Sequence, residues 1–276
     1  MSAILKVESL NVTLQHRRAS KKLVEDVSFE VRLGECLGIL GESGSGKSMT
    51  VKSVLGLLDK NFQVSGSAIF DGQDLLKESR EELRRLRGSR ITMVLQNPMT
   101  CFDPLYRIGN QMAETFATHT SWNAQEIRTR SLEILEQMRI RNGEEVLEKY
   151  PHQLSGGMLQ RIMIGIAMAL QPELLIADEP TTAIDAITQY EILEEFIRIK
   201  KQKNTAMLFI THDLGAISRV ADRILVMNSG HVVNSGSFDH ILKHADDPYT
   251  RMLVEKRSAV MQRYRQILHG KESSHA

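Results

Sequence analysis

The octapeptide Gly41-Glu42-Ser43-Gly44-Ser45-Gly46-Lys47-Ser48 limits this chain more than any other stretch. Its spacing is that of a phosphate-binding loop: Gly, four residues, Gly, Lys, then Ser or Thr. The apolar run Cys36-Leu37-Gly38-Ile39-Leu40 reads as a buried strand leading in. Glycines let the backbone turn its N–H groups inward at little steric cost. A helix beginning near Lys47 aims unpaired N–H groups and its positive end at the same point. In such a loop the Lys47 ammonium neutralises β- and γ-phosphate charge, and the Ser48 hydroxyl ligates Mg²⁺. The bland alternative is a glycine-rich turn with no ligand. The strand before it and the helix after it favour a nucleotide.

Composition removes several function classes. Lys plus Arg total 35 against 34 for Asp plus Glu, so no global basic field points to nucleic acid. The cluster Arg84-Arg85-Leu86-Arg87 lies beside Glu78, Glu81 and Glu82 and reads as a solvated amphipathic helix. The 2 cysteines, Cys36 and Cys101, indicate no disulfide framework and a reducing compartment. The N-terminus lacks a signal-peptide pattern. The longest apolar candidate, Ile162 to Leu170, falls well short of the roughly 20 residues that span a bilayer. A soluble chain is expected, held at any membrane by another protein.

The order of elements points to an α/β fold. Ile4-Leu5-Lys6-Val7 and Val27-Ser28-Phe29-Glu30-Val31 alternate as half-buried strands, with the polar stretch Gln15 to Lys22 as a loop between them. Met49 to Leu58 is expected to be the helix after the phosphate loop, and Val64 to Phe70 a strand that turns at Asp71-Gly72. Ile91-Thr92-Met93-Val94-Leu95 reads as a strand ending at Gln96. From Asn97 to Ala169 the pattern is helical, an insert in the α/β core. The core resumes with Leu174 to Asp178, a helix through Lys200, and strands at Met207 to Ile210 and Ile224 to Met227. Buried strands alternating with helices argue a mostly parallel sheet. The expected division is 1–96 for the first part of the nucleotide-binding core and 97–169 for the helical insert. Residues 170–245 would complete the core, leaving 246–276 as a helical tail.

Three further clusters carry chemistry. Leu174-Leu175-Ile176-Ala177-Asp178-Glu179 places two carboxylates at the carboxyl end of a buried strand, where ligands sit in such sheets. Asp178 would hold Mg²⁺ and Glu179 would polarise an attacking water. The plain alternative is an acidic helix cap. His212 stands at the end of the next strand, within expected reach of a γ-phosphate. Leu154-Ser155-Gly156-Gly157-Met158 opens an apolar helix and forms a second candidate phosphate-binding terminus. Either it caps that helix and nothing more, or it reaches a nucleotide held by another subunit.

Gly41 to Ser48, Gln96, Leu154-Ser155-Gly156-Gly157, Asp178-Glu179, Ile184-Asp185 and His212 occur in the order of ATP-binding-cassette ATPases, and the chain resembles that family over residues 3–245. The resemblance implies a RecA-like P-loop NTPase core, an N-terminal antiparallel β subdomain and an inserted helical subdomain that docks on membrane subunits. It implies head-to-tail dimers, each ATP sandwiched between the phosphate loop of one domain and the Ser-Gly-Gly signature of the other. ATP would then contact Gly41, Glu42, Ser43, Gly44, Ser45, Gly46, Lys47, Ser48, Met49, Gln96, Asp178 and His212. Mg²⁺ would be held by Ser48, Gln96 and Asp178. Glu179 takes the place of the catalytic base, Gln96 that of the lid glutamine, His212 that of the switch histidine and Asp185 that of the dimer-loop aspartate.

A finer resemblance is to the nickel, peptide and metallophore importer branch. It rests on Gln96-Asn97-Pro98, Phe102-Asp103-Pro104, Tyr150-Pro151-His152-Gln153, Asp178-Glu179-Pro180-Thr181-Thr182 and Asp247-Pro248-Tyr249-Thr250. The pair Met158-Leu159 is most similar to nickel and metal-opine ATPases, whereas peptide-import relatives more often carry Arg at the second position. The branch implies a non-identical ATPase partner, two membrane permeases, an extracellular binding protein and a place on the cytoplasmic face of a bacterial membrane. A peptide cargo is the alternative. Non-transport cassettes of repair or ribosomal type fit poorly, because there is one cassette and no long heptad run. A regulatory module that holds ATP without turnover conflicts with the intact Lys47, Gln96, Glu179 and His212.

The chain departs from the family in a few places. Ile184 replaces the usual Leu, and Met158 the family's general Gln. Val12-Thr13-Leu14-Gln15-His16 lacks the aromatic that stacks on adenine, so His16 or aliphatic surface is expected to substitute, with weaker base selectivity. No cysteine follows Cys101, so the iron–sulfur site of some peptide relatives is absent. His231, His240, His244, His269 and His275 form no tight metal-ligand motif and read as solvated surface residues.

Overall fold

The computed structural model describes residues 3–16, 19–182 and 184–256. Two sheets organise them. The first is antiparallel and contains β1 (Ala3–His16), β2 (Ala19–Arg32), β4 (Phe62–Phe70) and β5 (Gln73–Asp74), in the order β2-β1-β4-β5. The second holds β3 (Cys36–Leu40), β6 (Ile91–Val94), β7 (Leu174–Asp178), β8 (Ala206–Thr211), β9 (Arg223–Asn228) and β10 (His231–Ser237). Its order is β10-β9-β3-β8-β7-β6; every pairing is parallel except that of β10 with β9.

The central strands β3, β7 and β8 are buried along their whole length, and their residues alternate between two cores as a period-2 chain must. Cys36, Leu40, Leu175, Ala177, Met207 and Phe209 face a core shared with the helices of the insert. Leu37, Ile39, Leu174, Ile176, Leu208 and Ile210 face a second core, filled from the other side by the antiparallel sheet. A parallel sheet covered on both faces reads as unbroken apolar runs, and the sequence shows just those. The expected α/β nucleotide-binding fold, with its antiparallel N-terminal sheet, is borne out.

The helices are α1 (Lys47–Val54), α2 (Arg80–Leu86), α3 (Ile108–His119), α4 (Ala124–Gln137), α5 (Gly143–Leu147), α6 (Gly156–Ala169), α7 (Ala186–Lys203), α8 (Leu214–Val220) and α9 (Phe238–Lys243). Among them α3 to α6 follow β6 without an intervening strand. Asn123 opens α4 with a capping box, accepting from Gln125 and Glu126 N–H while Glu126 accepts from Asn123 N–H. No described helix is long and apolar enough to cross a membrane.

Several expectations need correction. Within the polar stretch Gln15 to Lys22, the described residues are strand rather than loop: Gln15 pairs with Ser20, Leu14 with Lys21 and Thr13 with Lys22, so both strands run on past the expected boundaries. Ladder hydrogen bonds satisfy that backbone without any apolar face. The helix expected over Met49 to Leu58 is Lys47–Val54, and the chain then turns at Gly56, which has φ +60°. The helix after Asp178 begins only at Ala186 and reaches Lys203. Strand β10 carries no period-2 apolar signal, because its two apolar residues, Val232 and Val233, stand side by side and the rest are His, Asn, Ser and Gly. The tail is helical over 248–256; His269, His275 and the remainder lie outside the described residues, as does the side chain of His16.

Candidate active site

Parallel strands bring their carboxyl ends to one edge, and four of the predicted residues or loops leave from that edge. The phosphate loop follows β3, Glu179 follows β7, His212 follows β8, and Gln96 lies two residues beyond β6. Strand β8 sits between β3 and β7, with Leu40 opposite Thr211 and Ile210 opposite Asp178. Residues 130 positions apart in sequence are therefore neighbours, as the link between Ser48 and Asp178 shows.

Gly46, at φ +103°, is the N-cap of α1 and offers no side chain of its own. Lys47 folds back over the loop, and its Nζ donates to Gly41 O at 2.8 Å and Glu42 O at 2.9 Å. Burial pulls the Lys47 ammonium below the ordinary lysine pKa, while Glu179 and Asp178 oppose that shift. The Ser48 hydroxyl donates to Asp178 Oδ1 at 2.7 Å. Burial pushes the Asp178 carboxyl up, and the Ser48 hydrogen bond resists. Met49 is half-buried against the core between the sheets.

Glu179 is the point of convergence. Its Oε2 accepts from Gln96 Nε2 at 2.8 Å and from Thr182 Oγ1 at 2.9 Å, with His212 Nδ1 at 3.3 Å. Its Oε1 lies 3.9 Å from Lys47 Nζ. Only 6% of Glu179 is exposed, and its backbone adopts φ +47°, which is uncommon for a residue with a side chain. The Glu179 N–H donates to Ile210 O at 2.8 Å, which holds that turn against β8.

The predicted signature residues stand apart from this cluster. Leu154 is buried, while Ser155 and Gly156 are exposed, and the Ser155 side chain accepts from Met158 N–H as the cap of α6. Gly157 abuts the start of α7, where an added Cβ would lie 3.0 Å from Thr188 Cγ2. Asp185 caps α7, accepting from Ile187 and Thr188 N–H, and those backbone hydrogen bonds hold its carboxyl below the usual range. Met158 is half-buried against the insert core. Two groups escaped the sequence reading: Thr182, whose hydroxyl fixes Glu179, and Tyr249, whose phenol accepts from Glu42 N–H at 2.9 Å. Both lie in motifs noted above, Asp178 to Thr182 and Asp247 to Thr250, with nothing in the spacing to assign them a contact. Among the described residues, no group of three His, Cys, Asp or Glu could hold a metal ion by itself.

Residues 24–182 match the family model described as ABC transporter. The chain belongs to the ABC transporter ATPase family. It is 43% identical to the metal-staphylopine import system ATP-binding protein of Staphylococcus aureus over 260 residues, covering 94% of this chain and 96% of that one. It is 40% identical to the oligopeptide transport ATP-binding protein of Lactococcus lactis over 252 residues, covering 91% and 75%. Among solved structures it is similar to cbiO1 of Clostridium perfringens, part of an ABC transporter complex, with a TM-score of 0.72 at 26% identity, covering 99% and 100%. The family resemblance read from the motifs is thereby borne out, and the activity is that of an ABC ATPase coupled to import. The relatives named for metal-staphylopine import and for oligopeptide transport thus lie at nearly the same identity.

Proposed function

We propose that this ABC ATPase binds Mg-ATP at the edge described above and hydrolyses it with Glu179 as general base. The observation that carries the reading is the convergence of Gln96, Thr182 and His212 on Glu179 Oε2, beside the buried Lys47 ammonium. A carboxylate whose Oε2 is held from three sides is fixed in direction, which general-base catalysis on a bound water requires. The Lys47 ammonium, held by the Gly41 and Glu42 carbonyls with Glu179 3.9 Å away, fits an incoming phosphate. Ser48 and Asp178 present two hard oxygens side by side, the donor chemistry that suits Mg²⁺, and Gln96 stands within the same cluster. When bound, Mg²⁺ supplies charge neutralisation at the β- and γ-phosphate oxygens. Gly41 to Ser48 would wrap the phosphates, and Ser155 to Gly157 of a partner ATPase would close over them.

The cargo proposed is nickel, another transition metal, or its metallophore complex. Support comes from the Met158-Leu159 pair and from the 43% identity to a metal-staphylopine importer subunit. A peptide cargo is the second reading, favoured by the 40% identity to the oligopeptide relative. The chain would sit on the cytoplasmic face of the membrane, paired with a non-identical ATPase, two permeases and an extracellular binding protein. Permease docking would use the insert side, where Leu105 and Tyr106 are 78% and 56% exposed. That face borders a groove of about 320 Å³ lined by Leu57, Phe102, Gln111 and Met163.

The reading is tested by labelled-nickel uptake, with labelled dipeptide as control, in cells lacking the gene and rescued with wild type or Glu179→Gln. Nickel uptake restored only by wild type is expected. Loss of dipeptide uptake alone would move the protein to peptide import. In the assembled transporter, Glu179→Gln is expected to lower turnover by about a hundredfold or more while ATP still binds. Unchanged turnover would sink the assignment of Glu179.

A further inference from the structure

The helix over 248–256 reaches back to the phosphate loop. Asp247 starts it, its Oδ1 accepting from Thr250 N–H at 2.9 Å, while Tyr249, Leu253 and Val254 pack against the insert-side core. From that anchored position the Tyr249 phenol accepts the Glu42 N–H at 2.9 Å. Lys256 Nζ adds an exposed ion pair to Glu42 Oε1 at 3.3 Å, about two helical turns beyond Tyr249. Leu253 and Lys256 also form one wall of a cleft whose other wall is Glu42, Ser43, His212 and Asp213.

The chemistry lies in which peptide group is held. The Gly41 C=O and the Glu42 N–H belong to one planar unit and point in opposite directions. Gly41 O accepts from Lys47 Nζ at 2.8 Å, while Glu42 N–H donates to Tyr249. Rotating that plane breaks both bonds together and withdraws one of the two carbonyls that hold Lys47. The loop itself leaves this degree of freedom open, because glycine accepts several orientations of the peptide that follows it. The tail closes it.

We propose that Tyr249 is a positioning residue for the nucleotide reaction: it locks the Gly41–Glu42 peptide plane and thereby sets where Lys47 waits for phosphate. Docking of the C-terminal helix then tunes ATP affinity from outside the loop. The Lys256–Glu42 pair contributes little, since both side chains are more than half exposed. The inference rests on the nucleotide site proposed above.

The test is Tyr249→Phe in the full chain, which keeps the ring in the core and removes only the hydroxyl. ATP binding is measured at equilibrium, well below the melting temperature, and steady-state hydrolysis in the assembled transporter. Loss of one hydrogen bond predicts a rise of about two- to tenfold in the Kd and KM for ATP, with kcat changed less than either. The melting temperature without nucleotide is expected to fall by no more than a few degrees, about what one lost hydrogen bond costs. A Kd equal to that of wild type overturns the proposal, whatever the melting temperature does. Leu253→Ala separates positioning from loosening, because it trims the packing of the same helix and leaves the phenol in place. An equal rise in Kd for Leu253→Ala and Tyr249→Phe also overturns it. Wild type failing to bind ATP would instead defeat the nucleotide reading itself.

Discussion

Gly41 and Gly44 occupy the same loop for different physical reasons. A Cβ on Gly41 would lie 2.4 Å from Met227 O and 2.5 Å from Ser45 Oγ, so the loop packs against β9 with no room for a methyl group. At Gly44 nothing lies within 4 Å of an added Cβ, but φ is +84°, a conformation that costs side-chain-bearing residues about 1 kcal/mol. Gly41→Ala is therefore expected to lower folding stability by about 1–3 kcal/mol, read as a shift in urea midpoint. Gly44→Ala is expected to cost less stability and to show its effect in ATP affinity, because it strains a loop whose backbone is proposed to wrap the phosphates. Equal midpoints for Gly41→Ala and wild type would show that the loop relaxes around the methyl group.

Among the elements, α6 and α7 share a design that links packing to the proposed dimer. Each begins with an exposed side-chain cap, Ser155 on α6 and Asp185 on α7, and the two starts touch through Gly157 and Thr188. A cap alone is worth about 1 kcal/mol of stability when replaced by Ala. Ser155→Ala is thus expected to lower stability by about that amount in the isolated chain. If Ser155 also meets a partner's γ-phosphate, turnover in the assembled transporter should fall far more than the stability loss explains. A turnover loss no greater than the unfolding data predict would leave Ser155 a helix cap and nothing else. The two measurements together decide between the alternatives that the Leu154 to Met158 motif left open.

Across the whole molecule, Arg90 ties the antiparallel sheet to the parallel one. Its guanidinium donates to Glu173, just before β7, with one bond at 2.8 Å, and to Asp71, just after β4, and it lies 5.0 Å above the Phe70 ring. These partners hold the arginine charged, raising its pKa above the ordinary value. Because Arg90 is partly exposed, Arg90→Ala is expected to cost about 1–2 kcal/mol of stability. Arg90→Lys should recover only part of it, since an ammonium cannot reproduce the planar fork. Full recovery by lysine would mean that charge alone matters there.

Local signals were enough to read the phosphate loop, the buried strands, the Asp178-Glu179 pair and the Ser155 cap. Each is set by a few adjacent residues: glycine spacing, an apolar run, a hydroxyl three residues before a helical N–H. The boundaries of α1 and α7 and the pairing of Thr13 to Gln15 with Ser20 to Lys22 were not legible, because they depend on ladder pairing and on where packing ends rather than on local composition. The sequence named Gln96, Glu179 and His212 separately. Only the tertiary structure decided that Glu179 Oε2 is where they meet, with Thr182 as a further donor. The Tyr249 contact was the least visible, since it joins positions 207 residues apart by one hydrogen bond to a backbone N–H. Chemistry of the loop is written in its own eight residues, whereas the orientation of its peptides is fixed by whatever the folded chain brings against them.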